Sequence, residues 1–281
     1  MPELPEIEIT VRRLGEALAG QEVESTLAPG VNALKTYDPP LQALHGRKGM
    51  GMRRRGKLLL ADFSGELTLV VHLMSAGRLQ LFDKRAGLRD RTSRVLVRLE
   101  GGRELRLREF GTRQAAWARL LPTPAVDEDE VIATMGPEAW PDPPPFLELL
   151  DAARPLHQFL RDQRVIAGIG RSWVDEILWT AMLSPFKRGD DLEPDQAQAL
   201  RRATVDVLGS AIDHYEQVMR LPLPDKLPMP LQVHRRQGEP CPRDGTTLEA
   251  VFYEDFVMTY CPTCQTEGRV LKDRRLSRLL K

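Results

Sequence analysis

The chain has 281 residues, of which 42% are hydrophobic and 28% charged, and its acidic and basic side chains balance to a formal net charge of zero. This composition is typical of a globular protein of about two domains, and it excludes a disordered or collagen-like chain. No apolar run reaches the length of a membrane span and the N-terminus lacks the apolar core of a signal peptide, so we expect no membrane attachment.

The first six residues, Met-Pro-Glu-Leu-Pro-Glu, place two carboxylates beside a proline whose nitrogen becomes a secondary amine if Met1 is removed. Such an amine can attack an electrophilic carbon and form an iminium (Schiff base), and Glu3 and Glu6 are groups that can transfer protons in such a reaction. Apolar residues at helical spacing after Pro5 predict a helix whose positive end favours the neutral amine. The alternative is that Pro2 and Glu3 only begin that helix, as proline and acidic residues often do.

Short apolar or alternating runs, separated by breaks that contain glycine, predict β-strands through residues 20–120. The clearest runs lie at 58–60, 67–71, 94–99 and 104–108. We therefore expect residues 1–121 to form a β-sandwich or barrel against which the first helix packs.

Residues 122–145 are rich in proline, aspartate and glutamate, which indicates a linker with one short helix near 128–134. From residue 146 the apolar spacing becomes helical, with a long amphipathic helix over 195–220 and an irregular, proline-rich loop over 221–230. Gly168 and Gly170 lie between two of the predicted helices. A turn of this kind can bring backbone N–H groups close to a phosphate, or it can serve packing alone.

The three cysteines all lie within residues 241–264, which favours a metal site in a reducing cytoplasm over a disulfide framework. Their spacing, Cys241-x2-Asp244-x16-Cys261-x2-Cys264, is that of a four-cysteine zinc ribbon in which an aspartate replaces one cysteine. Zinc accepts carboxylate ligands, so we expect these four residues to hold one structural zinc ion, with His234 as the alternative to Asp244. The other hypothesis is a hairpin without metal that is held by its aromatic residues.

Charge is unevenly distributed along the chain. Basic residues concentrate at 47–57, 83–119 and from 268 onward, whereas residues 122–153 contain acids and neither lysine nor arginine. A single run of this kind is usually a solvated face. Three basic runs on a neutral protein favour a surface that faces phosphates, and hence a nucleic-acid partner.

Four features now stand in order: Met-Pro-Glu-Leu-Pro-Glu, Gly56-Lys57 before a strand, Gly168-Ile169-Gly170 between helices, and the C-terminal cysteine hairpin. Together they closely resemble the formamidopyrimidine-DNA glycosylase / endonuclease VIII family of base-excision repair enzymes. The resemblance covers nearly the whole chain and implies an α+β fold. Its parts are an N-terminal β-sandwich with its helix at 1–121, the linker at 122–145, a helix–two-turn–helix domain at 146–230 and a zinc-finger hairpin at 231–281.

The resemblance also implies an activity. Pro2 is expected to attack C1′ of the damaged nucleotide, Glu3 to transfer protons, Glu6 to support it, and Lys57 to contact a phosphate near the lesion. The implied enzyme is a monomer that removes oxidised bases from double-stranded DNA lying between the two lobes, followed by β,δ-elimination at the abasic site. Two alternatives remain on the same scaffold: a silent binder of damaged or abasic DNA, and an abasic-site lyase without base excision.

Enzymes of this class flip a base out of the duplex and fill the hole that it leaves. The segment Arg108-Glu109-Phe110-Gly111 matches the family's Arg-x-Phe-Gly element, so Phe110 is expected to act as an apolar wedge and Arg108 to pair with the orphaned base. The alternative for Phe110 is a core aromatic. Met74 is the candidate void filler, although it lies one place earlier than in the family, where Ser75 now stands.

Two further departures from the family pattern concern how DNA is held. Arg171 replaces the asparagine that touches phosphate after Gly-x-Gly, and arginine can also bind phosphate. Phe256 replaces the hairpin arginine that grips the phosphate at the lesion. We expect compensation from one of four arginines: Arg235, Arg236, Arg243 or Arg269. The short loop at 221–230 leaves lesion preference open.

Overall fold

The computed structural model describes residues 2–87, 90–110, 114–150, 154–253 and 256–271. They form two compact units, one made of Met1–Thr134 with Ile212–Pro228 and the other of Met135–Ala211 with Met229–Lys281. The bounds of these two compact units thus differ from those of the four predicted segments. The first unit takes in most of the predicted linker and the proline-rich loop, and the cysteine hairpin joins the helical part of the second.

The first unit begins with helix α1 (Leu4–Leu18), as the apolar spacing predicts. Glu3 occupies the N-cap position, and its backbone N–H donates to Glu6 Oε2 at 2.8 Å, which is half of a capping box. The apolar face of α1 is fully buried, so the helix is held by packing as well as by its cap. Pro2 therefore lies directly before the positive end of a helix.

Eight strands in the described part of the first unit form two antiparallel four-stranded sheets, with strand orders β1-β6-β7-β5 and β2-β3-β4-β8. All four predicted runs lie within strands. The strands are β1 (Val23–Leu27), β2 (Gly49–Arg55), β3 (Leu58–Phe63), β4 (Leu67–His72), β5 (Gly77–Phe82), β6 (Ser93–Leu99), β7 (Glu104–Glu109) and β8 (Trp117–Pro122).

One apolar core joins the helix to both sheets. It includes Leu14 of α1, Leu59 and Leu69 from one sheet, and Leu79 and Val97 from the other. Side chains of two sheets that share a core must face each other, so the unit is the predicted β-sandwich. The same core includes three residues of the segment Ile212–Pro228, which explains why that segment belongs to the first unit. These residues are Tyr215, Met219 and Leu223.

The predicted linker contains a 3-10 helix at Thr123–Glu128 and a short helix α2 (Glu130–Ala133), as expected near 128–134. The second unit then carries α3 (Phe146–Leu149), α4 (Leu156–Phe159) and α5 (Trp173–Thr180). The long helix α6 (Pro194–Val218) runs from the second unit into the first. None of the helices among the described residues is both long and apolar enough to cross a bilayer.

The C-terminal hairpin consists of β9 (Glu249–Phe252) and β10 (Val257–Tyr260), which pair antiparallel. The short helix α7 (Pro262–Thr266) follows, with Cys261 at its N-cap. The mixed α+β architecture is thus the one that the sequence predicts.

Candidate active site and metal site

The N-terminal proline and its two glutamates are buried together in the first unit. Glu3 is 1% exposed and Glu6 is 2% exposed. Pro2 is also buried and lines a small pocket with Thr10, Gln80 and residues of the loop after α6. Buried carboxylates need partners, and here the partners define what each carboxylate can do.

Both oxygens of the Glu6 carboxylate are engaged. Oε2 accepts the backbone N–H of Glu3 at 2.8 Å, and Oε1 accepts the phenol of Tyr215 at 2.7 Å. Burial, followed by the charges of Glu6 and Glu3, raises the pKa of the Tyr215 phenol far above its usual range. The phenol therefore stays protonated and acts as a donor, which holds Glu6 as a fixed acceptor behind Glu3. Tyr215 has no local sequence signal, because it is one more apolar position of α6.

Lys57 lies in the two-residue turn between β2 and β3. Gly56, the first residue of that turn, has φ of 53°, a conformation that favours glycine. Its carbonyl accepts Nη1 of Arg54 at 3.1 Å, which braces the turn. Lys57 is only 7% exposed, so its side chain lies largely inside the unit.

His72, at the end of β4, lies near Lys57. Burial and then the Lys57 charge lower the pKa of the His72 imidazole from 6.5 to about 4. Its Nδ1 accepts the backbone N–H of Met74 at 3.1 Å, and its ring stacks on Trp117. A neutral His72 thus shapes the turn that carries Met74, which is half-buried with φ of 49°. Ser75, at the family's usual void-filling position, is exposed.

Phe110 follows β7 directly and is 43% exposed, so it is not a core aromatic. The guanidinium carbon of Arg108 lies 4.5 Å from the centre of its ring. The structure therefore brings together the two residues predicted to invade a duplex. Gly111, the last residue of that motif, lies outside the described residues.

Arg108 also contacts the loop that follows α6. Its Nη1 lies 3.1 Å from Asp225 Oδ1 and 3.0 Å from Gln80 Oε1. Gln80 Nε2 in turn donates to the carbonyl of Leu223 at 2.6 Å and to Asp225 Oδ1 at 3.1 Å. We call residues 221–228 the proline loop. It is irregular, as predicted. The hydrogen bonds of its residues Asp225 and Leu223 hold it beside the pocket that Pro2 lines.

In the second unit, the glycine turn leads into α5. Gly168 has φ of 113°, and its N–H donates to Gln163 Oε1 at 2.9 Å. Gln163 Nε2 donates to the carbonyl of Ile169 at 2.8 Å, and the carbonyl of Gly170 accepts the N–H of Val174. The Gly168 N–H is therefore used inside the turn. Arg171 is the next residue after this turn.

Phe256, which stands where the family has an arginine, lies under two guanidinium groups. The guanidinium carbons of Arg161 and Arg171 lie 4.3 and 5.3 Å from its ring centre. The four arginines expected to compensate have other contacts: Arg236 pairs with Glu239, Arg269 with Glu267, Arg243 lies over Trp179, and the Arg235 N–H donates to Thr259. Arg161 was not predicted, and its only sequence signal is a basic residue shortly before the glycine turn.

The acidic pair Asp175-Glu176 at the start of α5 binds the chain before the cysteine hairpin. Glu176 Oε1 accepts the backbone N–H groups of Val233 and His234, at 2.9 and 2.8 Å. Burial raises the pKa of the Glu176 carboxyl, although these bonds act in the opposite direction. His234 Nδ1 lies 2.6 Å from Asp175 Oδ2. His234 is therefore engaged with Asp175, and it is not the fourth member of the cysteine cluster.

The predicted metal ligands converge. Cys241, Asp244, Cys261 and Cys264 each offer a ligand atom, and these atoms all lie within 4.8 Å of one another. The Cys241 and Cys264 sulfurs are 3.9 Å apart, and Asp244 Oδ2 lies 3.5 and 3.1 Å from the Cys261 and Cys264 sulfurs. A tetrahedral zinc with bonds of about 2.3 Å to sulfur and about 2.0 Å to oxygen has edges of roughly 3.8 and 3.5 Å. The four side chains thus fit a zinc ion.

The side chains of this cluster shift one another's pKa. Burial, and then the Asp244 carboxylate, raise the pKa of the Cys264 thiol to about 12. Hydrogen bonds, that from Cys264 first, hold the pKa of Asp244 well below its usual range. A dication bound here reverses the effect on the thiols, because a coordinating thiol is deprotonated.

Comparison with known families identifies two regions of the chain. The model of the formamidopyrimidine-DNA glycosylase N-terminal domain matches residues 1–114. The model of the formamidopyrimidine-DNA glycosylase H2TH domain matches residues 145–221. The first region holds the N-terminal proline and the strands β1 to β7 of the β-sandwich, and the second holds the glycine turn.

Relatives and solved structures agree with these matches. Formamidopyrimidine-DNA glycosylases of Pediococcus pentosaceus and Thermus thermophilus are 31% and 34% identical, over 94% and 95% of this chain and 99% and 100% of their own length. A Lactococcus lactis enzyme mutant in complex with DNA containing Fapy-dG has a TM-score of 0.83 at 27% identity, covering 94% of this chain and 100% of that one. The Lactococcus lactis enzyme with DNA containing an abasic site has a TM-score of 0.83 at 25% identity, covering 94% and 99%.

Proposed function

The chain belongs to the formamidopyrimidine-DNA glycosylase family, and from that premise we propose that it removes oxidised bases from DNA and then cleaves the strand at the abasic site. The observation that carries this proposal is the position of Pro2. It stands before the positive end of α1, beside two buried glutamates. Removal of Met1 makes its nitrogen a secondary amine, which is the nucleophile that such chemistry requires.

In the proposed reaction, the Pro2 nitrogen attacks C1′ of the damaged nucleotide, and the base leaves with the electrons of the glycosidic bond and takes up a proton. Glu3 gives a proton to O4′ as the sugar ring opens, and C1′ becomes an iminium carbon. The iminium acidifies C2′–H, so loss of that proton expels the 3′ phosphate by β-elimination. A second elimination expels the 5′ phosphate. Glu6, held by Tyr215, keeps Glu3 in place through the Glu3 N–H.

The DNA contacts divide by chemistry. Lys57 supplies a positive charge for a phosphate near the lesion, and Arg108 supplies a hydrogen-bond donor for the orphaned base. Phe110 and Met74 supply apolar surface that fills the hole left by the flipped base. The exposed Phe110 and its contact with Arg108 support this assignment in the first unit. The solved relatives were crystallised with DNA containing Fapy-dG or an abasic site, and we propose damaged double-stranded DNA as the substrate of this chain as well. We propose that it acts as a monomer.

We propose a structural zinc ion at the hairpin, held by Cys241, Asp244, Cys261 and Cys264. An ion of this kind adds folding free energy and takes no part in the reaction. A reducing cytoplasm keeps the three thiols available for it.

The second candidate is a protein that binds damaged or abasic DNA without acting on it. The observation in its favour is the pair of departures at positions that hold DNA in the family, where Arg171 and Phe256 stand in place of an asparagine and an arginine. A lyase that acts only on abasic sites is the third candidate.

One product analysis separates the three candidates. A duplex labelled at its 5′ end, with either an oxidised base or an abasic site, is incubated with the purified protein. Free base together with a strand that ends in 3′-phosphate supports the bifunctional enzyme. Cleavage of the abasic duplex alone supports the lyase, and retention of both duplexes uncut, with a gel shift, supports the binder. Mass spectrometry of the intact protein checks that Met1 is removed, since an acylated Pro2 nitrogen is not nucleophilic.

A further inference from the structure

A carboxylate stands at a core-facing position of strand β7. Leu105 and Leu107 belong to the apolar core, and Glu109, two residues further, lies on the same side of the strand. Arg108 and Phe110 occupy the alternate positions, which are partly exposed. Glu109 is only 3% exposed, and a buried carboxylate is costly unless it is well bonded. It therefore breaks the apolar pattern of its face, and such breaks are typical of functional positions.

Glu109 joins the two ends of the connection between β7 and β8. Its Oε1 accepts the backbone N–H groups of Ala115 and Ala116, at 2.7 and 2.9 Å. Phe110 leaves β7 directly after Glu109, and Ala116 stands directly before β8. One side chain thus fixes where the connection starts and where it ends. Because buried N–H groups are almost always paired, loss of the buried bond to Ala116 is costly.

The turn that carries Met74 rests on the same connection. Gly77, the first residue of β5, pairs with Glu109 across the sheet. A Cβ at Gly77 would lie 2.9 Å from the methyl carbon of the alanine before β8, so the two segments are in close contact. The backbone N–H of Phe110 donates to the carbonyl of Ala76 at 3.3 Å. The two segments that carry the candidate wedge residues therefore pack against each other beside Glu109.

Arg94 stands beside the second oxygen of Glu109. Its Nε lies 3.8 Å from Glu109 Oε2, and neither of these two atoms has a hydrogen-bond partner among the described residues. The guanidinium packs closely on the backbone of Gly30, where a Cβ would lie 2.6 Å from the guanidinium carbon. Arg94 thus balances the charge of the carboxylate. Within the described part of the chain, the two alanine N–H groups set its direction.

We propose that Glu109 is a positioning residue for entry into the duplex, and that it holds Phe110 against the Met74 turn, ready for the hole left by a flipped base. The inference rests on the proposed function, because it takes a base-flipping enzyme as its premise. A wedge that becomes ordered only on binding loses conformational freedom, and this loss weakens the bound state. A side chain that closes the connection beforehand avoids the loss. It matters only where a base pair has to be opened.

The first test compares paired and unpaired substrates. Single-turnover excision of an oxidised base is measured in a full duplex and in a duplex that is mismatched for a few nucleotides around the lesion. Glu109→Ala is expected to slow excision from the full duplex roughly tenfold, the scale of one lost buried hydrogen bond, and to leave the mismatched duplex within about twofold of the parent. Leu105→Ala, at a core residue of the same strand away from the connection, controls for lost stability and is expected to change both rates alike. Equal slowing on both substrates in Glu109→Ala overturns the proposal.

The second test shows whether Glu109 acts through Phe110. Phe110→Ala is expected to slow excision from the full duplex at least as much as Glu109→Ala, and the double variant is expected to be no slower than Phe110→Ala. Effects that multiply in the double variant overturn the link. Glu109→Gln keeps an oxygen for both alanine N–H groups, so it is expected to react like the parent. A glutamine variant as slow as the alanine variant contradicts a role for these two bonds and overturns the proposal.

The third test does not depend on cleavage. The fluorescent base 2-aminopurine is placed beside a tetrahydrofuran abasic analogue in a duplex, where its emission reports unstacking at the hole. The parent protein is expected to change this emission on binding, and Glu109→Ala and Phe110→Ala are expected to lose most of the change at saturating protein. A full change in Glu109→Ala overturns the proposal. A parent protein that gives the change but cleaves no lesion-bearing duplex reports failure of the proposed activity and not of this inference.

Discussion

The phenol of Tyr215 donates a hydrogen bond of 2.7 Å to Glu6 Oε1, and the backbone N–H of Glu3 donates one of 2.8 Å to the other oxygen of the same carboxylate. Glu6 thus links α6 to the residue beside the candidate nucleophile. Glu6 therefore acts on the reaction indirectly, by holding Glu3 in place.

Replacing Tyr215 by phenylalanine tests that link. The variant leaves one buried oxygen of Glu6 without its donor, which is expected to lower the free energy of unfolding by about 1–3 kcal/mol. The rate of strand cleavage is expected to fall, whereas affinity for abasic DNA stays unchanged. Urea unfolding and single-turnover cleavage measure the two effects. Tyr37→Phe, at an exposed tyrosine, is the control, and an equal loss in both variants contradicts the assignment.

The pairing of Arg108 with Asp225 predicts that the proline loop competes with DNA. Asp225→Asn is expected to strengthen binding of abasic DNA a few-fold, since an exposed ion pair is worth up to about 1 kcal/mol. Asp83→Asn makes the same change of charge at an exposed site of the same unit and controls for general attraction to DNA. Equal gains in the two variants show that release of Arg108 contributes nothing.

His72 predicts how stability depends on pH. Because the pKa of His72 falls from 6.5 to about 4 on folding, the unfolded chain binds the proton first as the pH drops. Stability from this residue is therefore complete above pH 6.5 and is lost progressively towards pH 4, by about 3 kcal/mol in total. Thermal unfolding between pH 7 and pH 4 measures the slope. His72→Gln is expected to flatten it, and a slope equal to that of the parent protein refutes the prediction.

The metal site gives a prediction about stoichiometry. Purified protein is expected to contain about one zinc per chain, and chelation is expected to lower the melting temperature, because metal binding contributes to folding. Cys261→Ser and Asp244→Ala are both expected to lose zinc, whereas Asp190→Ala, at a surface ion pair, keeps it. Full zinc content in Asp244→Ala contradicts its assignment as a ligand.

Much of the site was predictable because its residues are close in sequence. Pro2, Glu3 and Glu6 share one turn, and the two halves of the cysteine cluster each have a spacing that is typical of zinc ligands. The strands were predictable from their alternation and from the glycine-containing breaks between them. In each case the pattern arises from residues that are close in sequence, so a stretch of about six to ten residues is enough to recognise it.

The residues that were missed act through contacts between distant parts of the chain. Tyr215 looks like any apolar position of α6, and only folding brings its phenol to Glu6. Asp225 had a faint signal as the one acid of the proline loop, but nothing in the sequence pairs it with Arg108. Arg161 lies over Phe256 because two elements of the second unit meet there.

The central claim is that the Pro2 nitrogen forms a covalent intermediate with DNA. Purified protein is incubated with a duplex that contains an abasic site or an oxidised base, in the presence of sodium borohydride, and the trapped complex is digested and sequenced by mass spectrometry. We expect one DNA adduct on the nitrogen of Pro2, and we expect Pro2→Gly to lose the adduct that the parent protein forms. An adduct on a lysine, or no adduct with either duplex, contradicts the account.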